Sequence, residues 1–317
     1  MREKRLSGII AFICLIVSVP FTLSANGGTG ADFLRLEPPA RTAGMGNVFA
    51  GISDDVNSII YNPSGLASLK NIIVSFTHFS SFADTNCEFL ASALPIEHGR
   101  LGVIGAGIVV DYTFDFPYYD DYGDQAGNVD NYDFIATASY AYPVFKWFYA
   151  GINLKYFFSK LYIYDKSGFA ADIGVLLAVA KNPDVYAGLV IQNIGNQSAY
   201  ISVIDAMPTN VKAGMGMKLK IGDAAKLTMG LDVNRLLSKD EMPTLDLGAD
   251  LSIFDVLCIR AGYGFRHDVV NLSMGVGILL DKVTFSYSYQ PFDTLGSTHR
   301  ISLDVAIFEG SQAPGKD

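Results

Sequence analysis

From Ile72 to Phe308 the chain reads as a series of strand-length segments that are apolar at every second position. Such alternation sets one face of a strand against an apolar medium and the other against water. In 226–234, Leu227, Met229, Leu231 and Val233 share one face, while Lys226, Thr228, Asp232 and Asn234 share the other. In 244–253, Leu245, Leu247, Ala249, Leu251 and Ile253 stand against Asp246, Gly248, Asp250 and Ser252. Segments of about 9–11 residues are long enough to cross a bilayer when tilted. The pattern predicts an all-β fold, an antiparallel transmembrane β-barrel of about fourteen strands.

Strands are expected at 71–79, 86–96, 99–114, 131–143, 147–163, 168–180, 184–193, 209–221, 225–236, 243–253, 256–266, 269–280, 282–290 and 298–308. Their connections sort by parity. Those after the first, third, fifth and seventh strands (80–85, 115–130, 164–167 and 194–208) are long or polar. The even-numbered ones are tight, as in Glu97-His98, Lys181-Asn182-Pro183, Phe254-Asp255 and Asp281. Outer-membrane barrels have long loops outside and short periplasmic turns. The parity therefore gives an orientation, with both chain ends on the periplasmic side. A β-sandwich has no reason to sort its loops this way.

Residues 1–25 read as a signal peptide: basic Arg2, Lys4 and Arg5, an apolar stretch over 9–19, and a cleavage site at Leu23-Ser24-Ala25. Export to a bacterial outer membrane follows. Beyond residue 25 no run of about eighteen apolar residues remains, so no transmembrane helix is expected. Removing three basic residues and one acidic residue with the signal takes the formal net charge from −9 to about −11, a balance that argues against nucleic acid as a partner. Residues 71–308 form the barrel, and 309–317 a C-terminal tail. Between signal and barrel, 26–70 is a separate segment with a short helix expected around 53–60, opened by Ser53-Asp54-Asp55. Its apolar content, including Phe33, Leu34, Val48, Phe49, Ile59 and Tyr61, favours packing in the lumen as a plug over a disordered arm. Cys87 and Cys258 fall toward opposite ends of distant strands, so no disulfide is expected.

Within that segment, Ala43-Gly44-Met45-Gly46-Asn47-Val48-Phe49-Ala50, then Asp54-Asp55, then Tyr61-Asn62-Pro63-Ser64-Gly65-Leu66-Ala67 resembles the N-terminal signature of FadL-like outer-membrane proteins. The likeness is closest to the PorV/PorQ family. That signature usually carries alanine where this chain has Ser64. Gln192-Asn193-Ile194-Gly195, Pro208-Thr209, Gly262-Tyr263-Gly264 and His299-Arg300-Ile301-Ser302-Leu303 extend the likeness over most of the mature chain. The resemblance implies a fourteen-stranded barrel with an N-terminal hatch in its lumen. It implies uptake of long-chain fatty acids or other hydrophobic compounds, released sideways through a gap in the wall. For PorV-type members it implies service to a type IX secretion system by handling exported cargo. Outer-membrane lipid and the barrel-assembly machinery are the further partners. One departure stands out: the assembly signal normally ends a chain in an aromatic residue, whereas here Glu309 to Asp317 follow Phe308.

Candidate site residues come from several places. Asn62, Pro63 and Gly65 are read as the hatch turn, Asn62 held extended by the following proline and Gly65 free to adopt positive φ, against an ordinary turn into the first strand. Leu101 to Val110 breaks the alternation, being apolar on both faces with Gly105 and Gly107 at its centre. Glycine inside a strand marks a bend or a close backbone approach. Two readings stand: a kinked wall and lateral opening at Gly105/Gly107 with a ligand pocket at Ile104 and Ile108, or simple packing of the wall on the hatch. A dinucleotide fingerprint at Val103-Ile104-Gly105-Ala106-Gly107 is rejected, because strand sequence follows where a helix is required. In 115–130, Tyr118, Tyr119 and Tyr122 are candidates for capturing an apolar ligand; the aspartates among them fit no EF-hand, and no metal site or cofactor is expected. Asp172, Asp232, Asp246, Asp250, Arg260 and Asp304 fall on the lumen face, with Asp250 and Arg260 close enough in register to pair. Nothing offers catalysis a foothold: His78, His98, His267 and His299 are scattered, and no nucleophile elbow or zinc motif occurs.

Overall fold

The computed structural model describes residues 29–81, 85–120, 122–200, 202, 204–237, 242–265, 272–292 and 296–307. The signal segment, 1–25, and the tail, 309–317, lie outside the described residues. Fourteen antiparallel strands close on themselves, each paired with its sequence neighbours and the first with the last. They are β1 Ile72–Ser80, β2 Asn86–Pro95, β3 Val103–Tyr119, β4 Gln125–Phe145, β5 Phe148–Leu161, β6 Tyr164–Ala180, β7 Asp184–Gln197, β8 Asn210–Ile221, β9 Ala225–Leu236, β10 Thr244–Ile253, β11 Leu257–Phe265, β12 Leu272–Leu280, β13 Val283–Pro291 and β14 Ser297–Ile307.

Alternation decides the faces. In β11 and β12, Leu257, Ile259, Tyr263, Leu272, Met274, Val276 and Ile278 point outward, while Cys258, Arg260 and Ser273 are buried inside. A soluble protein rarely exposes so continuous an apolar surface. As a band around a closed barrel it is the lipid-facing belt of a transmembrane protein. Asp172, Asp232, Asp246, Asp250 and Arg260 are buried within, and Asp304 stands opposite the inward Ser75. Cys87 and Cys258 are both free thiols.

The wall is not of uniform height. β3 and β4 have 17 and 21 residues, against 9 each in β11, β12 and β13. The stretch 115–130, read from its Asp, Asn and Gly content as a loop, is instead the end of a tall hairpin that turns at 120–124. β3 has β2 as a partner only up to Tyr112, and β4 has β5 only from Asn131, so beyond those points the two strands, among the described residues, pair only with each other. Residues 164–167 belong to β6 and 194–197 to β7, which corrects two further expected loops.

Residues 29–70, the hatch, occupy the lumen. Thr29 bridges to Ala206 in the β7–β8 connection, at what we term the upper end. Leu69 and Lys70 lie beside Gly99 in the β2–β3 connection, at the lower end. The hatch thus runs the length of the barrel, and the two ends of the barrel itself lie together at the lower end, where Ile72 pairs with Ile307, as the even strand count expects. The helix expected around 53–60 is confined to Ser58–Tyr61, with further short helices at Asp32–Arg35, Ala40–Gly44 and Pro63–Ser68. Ser53 has φ 31, and its hydroxyl donates to the Phe49 carbonyl rather than capping a helix.

Candidate functional site

Small residues let the hatch approach the wall. Gly216, Gly230, Gly248 and Gly262 are cross-strand partners on four successive strands, and Gly188 partners Gly214 next to them. The hatch backbone lies directly on this row. A Cβ at Gly188 would overlap the Ala50 carbonyl, one at Gly248 the Met45 carbonyl, and one at Gly262 the Gly46 amide. Asp232, between them, accepts from the Phe49 and Ala50 amides at 2.8 and 2.9 Å.

Asn62 is the knot of the hatch turn. It is extended (φ −153°, ψ 101°) before Pro63, as the Asn-Pro pair dictates. Its Nδ2 donates to the Ala50 carbonyl at 2.9 Å and to Val175 of β6 at 3.1 Å, and its Oδ1 accepts from the Ser64 hydroxyl at 2.7 Å. Gly65 serves a purpose other than positive φ: a Cβ there would strike the Ser53 carbonyl.

Lower in the lumen a clamp of charges joins hatch and wall. Arg41 donates to Asp54 at 2.7 Å, to Asp55, and to Asp250 at 3.5 Å, while Lys218 pairs with Asp54 at 2.7 Å. Asp250 faces Arg260 in register, with Nε–Oδ2 3.2 Å. Asp250 and Arg260 therefore belong to a wall-to-hatch network, not to the wall alone. Burial raises the Asp54 carboxyl, but Arg41 and Lys218 outweigh it and hold the group below the usual carboxylate range. Removing Arg41 leaves half-buried Asp55 without its cation and Asp54 and Asp250 with only Lys218 and Arg260. Arg41→Leu should cost about 3–5 kcal/mol of hatch docking, read as earlier chemical unfolding of 29–70, and Arg41→Lys, which lacks the planar fork, should restore less than half of it.

The upper lumen holds a cavity of about 510 Å³ floored by the hatch. Leu34, Leu36, Ile60, Phe79, Val109 and Ile135 give it apolar lining, and Lys155, Gln192, Asn193, Lys212, Gln290 and Arg300 give it polar lining. Most of its charges are paired: Lys212 with Glu37 at 2.6 Å and Lys155 with Asp172 at 2.7 Å. Arg300 differs. It is buried, donates to Gln290 and Thr298, and stacks its guanidinium 4.1 Å from the Phe79 ring, but its Nε has no hydrogen-bond partner among the described residues. Beside the cavity the β6–β7 ladder is interrupted. Asn193 (φ 59) bulges inward, its amide donating to Asp172 at 2.8 Å and its side-chain oxygen accepting from Lys155 at 2.9 Å.

The family model described as Uncharacterised protein family (UPF0164) matches residues 26–312. The chain belongs to that family. No curated protein sequence matches this UPF0164 member. Its fold is shared with solved outer-membrane proteins: the Ralstonia pickettii toluene transporter TbuX (TM-score 0.56, 11% identity, covering 86% of this chain and 98% of that one), the Pseudomonas putida toluene transporter TodX (0.56, 12%, 86% and 98%) and a Pseudomonas aeruginosa FadL homologue (0.53, 10%, 86% and 98%). At those identities the likeness is one of fold.

In the UPF0164 barrel several expected site residues land elsewhere. Ile104 and Ile108 are 47% and 41% exposed on the outer face, so they meet lipid and line no lumen pocket. Gly105 and Gly107 face inward on β3, between Val103 and Val109. The ladder from Val103 to Tyr112 is unbroken on both sides, so no lateral opening exists there; the β6–β7 pair carries a bulge at Asn193, with pairing resumed on either side of it. Tyr118, Tyr119 and Tyr122 sit at the tip of the tall hairpin, far along β3 from Val109, which lines the cavity; Tyr122 is 92% exposed. Sequence reasoning missed Phe79 and Arg300, although Arg300 lies two residues from the inward Ser302 and shares its face.

Proposed function

We propose that this UPF0164 protein is a bacterial outer-membrane channel for hydrophobic small molecules of the fatty-acid type, with the 510 Å³ cavity as its binding site. The observation that carries the reading is the mixed lining of that cavity. Apolar surface from Leu34, Leu36, Ile60, Phe79, Val109 and Ile135 suits a hydrocarbon body, and Arg300, stacked on Phe79 at the edge of that surface, has an Nε without a partner among the described residues to offer an acidic head group. The upper end then faces outward and the lower end the periplasm, with the apolar belt in outer-membrane lipid. The solved proteins of the same fold include two toluene transporters and a FadL homologue, which accords with a channel rather than an enzyme. The test is binding of palmitate and of its methyl ester to purified protein, with native mass spectrometry for co-purified lipid. Arg300→Ala should weaken palmitate about tenfold to a hundredfold, the value of a charged hydrogen bond, and leave the ester unchanged. A wild-type protein that binds neither ends the reading.

A second reading, a PorV-like interaction protein for secretion cargo, draws on the tall β3–β4 hairpin. Its edges beyond Tyr112 and before Asn131 lack strand partners among the described residues, and Phe114, Phe116 and Tyr119 are exposed on it. Free strand edges pair readily with other chains. A hairpin shortened at its tip that keeps ligand binding and loses a bound exported protein would favour this reading.

A further inference from the structure

The hatch is held very unequally around the barrel. Its described hydrogen bonds and ion pairs to the strands end on β5 to β10, β13 and β14: Ile59 carbonyl to Asn153, the Ile60 and Tyr61 carbonyls to Gln192, Asn62 to Val175, Glu37 and Asp54 to Lys212 and Lys218, Phe49 and Ala50 to Asp232, Arg41 to Asp250, Ala43 to Gln290 and Ala40 to Ser302. Toward β2, β3 and β4 the hatch presents Val56, Ile59, Leu66 and Ala67, all buried, and the wall answers with small or apolar groups such as Ala91, Ala93, Val103 and Ala141. Contact there is side chain against bare backbone. The Cβ position of Gly105 lies 3.0 Å from Leu66 Cδ1, and that of Gly107 lies 3.1 Å from Ile59 Cδ1. This interface begins at the apolar lining of the cavity, at Ile60 and Val109, and continues down past Gly107 and Gly105 to Val103 and Leu69.

We infer that this seam between the hatch and β2–β4 is the route by which an apolar body passes the hatch, and that the side chains of Ile59 and Leu66 are the groups that close it. The inference rests on the channel reading above. Free-energy differences select the seam. Parting the hatch from β5–β10 strands buried carboxylates and amides, each at about 1–3 kcal/mol or more. Parting it from β3 breaks only dispersion contacts, and an apolar ligand replaces those as it enters. Gly105 and Gly107 leave the wall without side chains at the points where Leu66 and Ile59 touch it, so rotation of those two aliphatic groups widens the seam there. The route runs through the lumen toward the lower end and needs no break in the β3 ladder, which is continuous.

A reversible lock tests this. In a Cys87→Ser, Cys258→Ser background, Ile59→Cys with Gly107→Cys places two thiols across the seam, and Val48→Cys with Gly230→Cys places two on the hydrogen-bonded side, where Val48 Cγ1 lies 2.6 Å from the Cβ position of Gly230. The readout is uptake of labelled palmitate and of toluene by Gram-negative cells lacking their own hydrophobe channel, with palmitate binding measured on the purified proteins. Oxidation of the seam pair should cut uptake at least tenfold, reduction should restore it, and binding in the cavity should be unchanged. The Val48/Gly230 lock should leave uptake intact. As an independent measure, Leu66→Ala should raise uptake severalfold and Leu66→Phe lower it. A seam lock without effect on uptake, or a Val48/Gly230 lock that abolishes it, overturns the inference while leaving the channel reading standing. Wild-type protein that supports no uptake defeats the channel reading itself, and the seam with it.

Discussion

Replacing Gly188 with valine is expected to expel the hatch from its seat while leaving the barrel folded. A side chain at 188 enters the space of the Ala50 carbonyl, which is backbone and cannot rotate aside. The segment around Ala50 must therefore move, and with it go the bonds of Asp232 to Phe49 and Ala50 and of Asn62 to the Ala50 carbonyl. Overpacking alone costs about 1–3 kcal/mol. A buried carboxylate stripped of two amide donors adds a similar or larger amount. The β7–β8 ladder itself, in which Gly188 pairs with Gly214, needs no side chain at that position. The measurement is twofold. Trypsin should cut the variant at Arg41, which is held in the clamp in the native protein, while heat-modifiable migration of the barrel persists. In planar bilayers the variant should pass small ions at several times the native conductance. Gly262→Ala, whose methyl group would meet the Gly46 amide, should give the same result more weakly. Intact resistance to trypsin in both variants would mean that the glycine row does not seat the hatch.

The second large effect is expected at Asn62. Its side chain donates to one hatch carbonyl and one wall carbonyl and accepts from Ser64, all in a fully buried setting. Asn62→Leu keeps much of the volume and removes every one of these bonds, leaving the carbonyls of Ala50 and Val175 without that donor. At about 1–3 kcal/mol per stranded group, docking of 58–69 should weaken by roughly 3–5 kcal/mol. Hydrogen exchange read by mass spectrometry should show protection of those amides falling by two to three orders of magnitude, with the strands of the wall unaffected. Ser64→Ala removes only the hydroxyl that leans on Asn62 Oδ1 and should cost about 1 kcal/mol. The gap between the two variants is the diagnostic, since a merely general loosening of the turn would treat them alike.

Much of the wall can be read from the residues alone, because a period of two leaves little freedom. Leu227 and Leu231 on one face and Asp232 on the other fix which side of β9 meets lipid, and the same parity brings Asp250 opposite Arg260. The rule fails where both faces are apolar. In β3, Val103, Gly105, Gly107 and Val109 form one face and Ile104, Ala106 and Ile108 the other, and hydrophobicity cannot rank them. Only the hatch, a long-range partner, decides that the glycine face is inward. The tall hairpin was hidden by composition: Asp115, Asp120, Asp124, Gly123 and Gly127 are poor strand formers, yet the alternation of Phe116 and Tyr118 continues through them. The cavity was hidden for another reason. Phe79, Glu37, Lys212 and Arg300 come from four distant parts of the chain: closure of the barrel brings Phe79 to Arg300, and docking of the hatch brings Glu37 to Lys212. A signal for the glycine row was present, in that inward positions of strand after strand carry glycine, but its meaning depends on a chain that crosses them.

Closure also bears on how the molecule can be put together. The hatch precedes β1, and β1 is the strand that completes the ring by pairing with β14 along its whole length. The hatch lies against the glycine row of β7 to β11 with almost no clearance. A hatch already lying on those strands when β1 meets β14 is enclosed by the last step of assembly, and one left outside faces a finished wall. The segment would then be as much a mandrel as a stopper: fourteen strands set the bore, and the glycine row lets the wall close onto a polypeptide backbone lying in it.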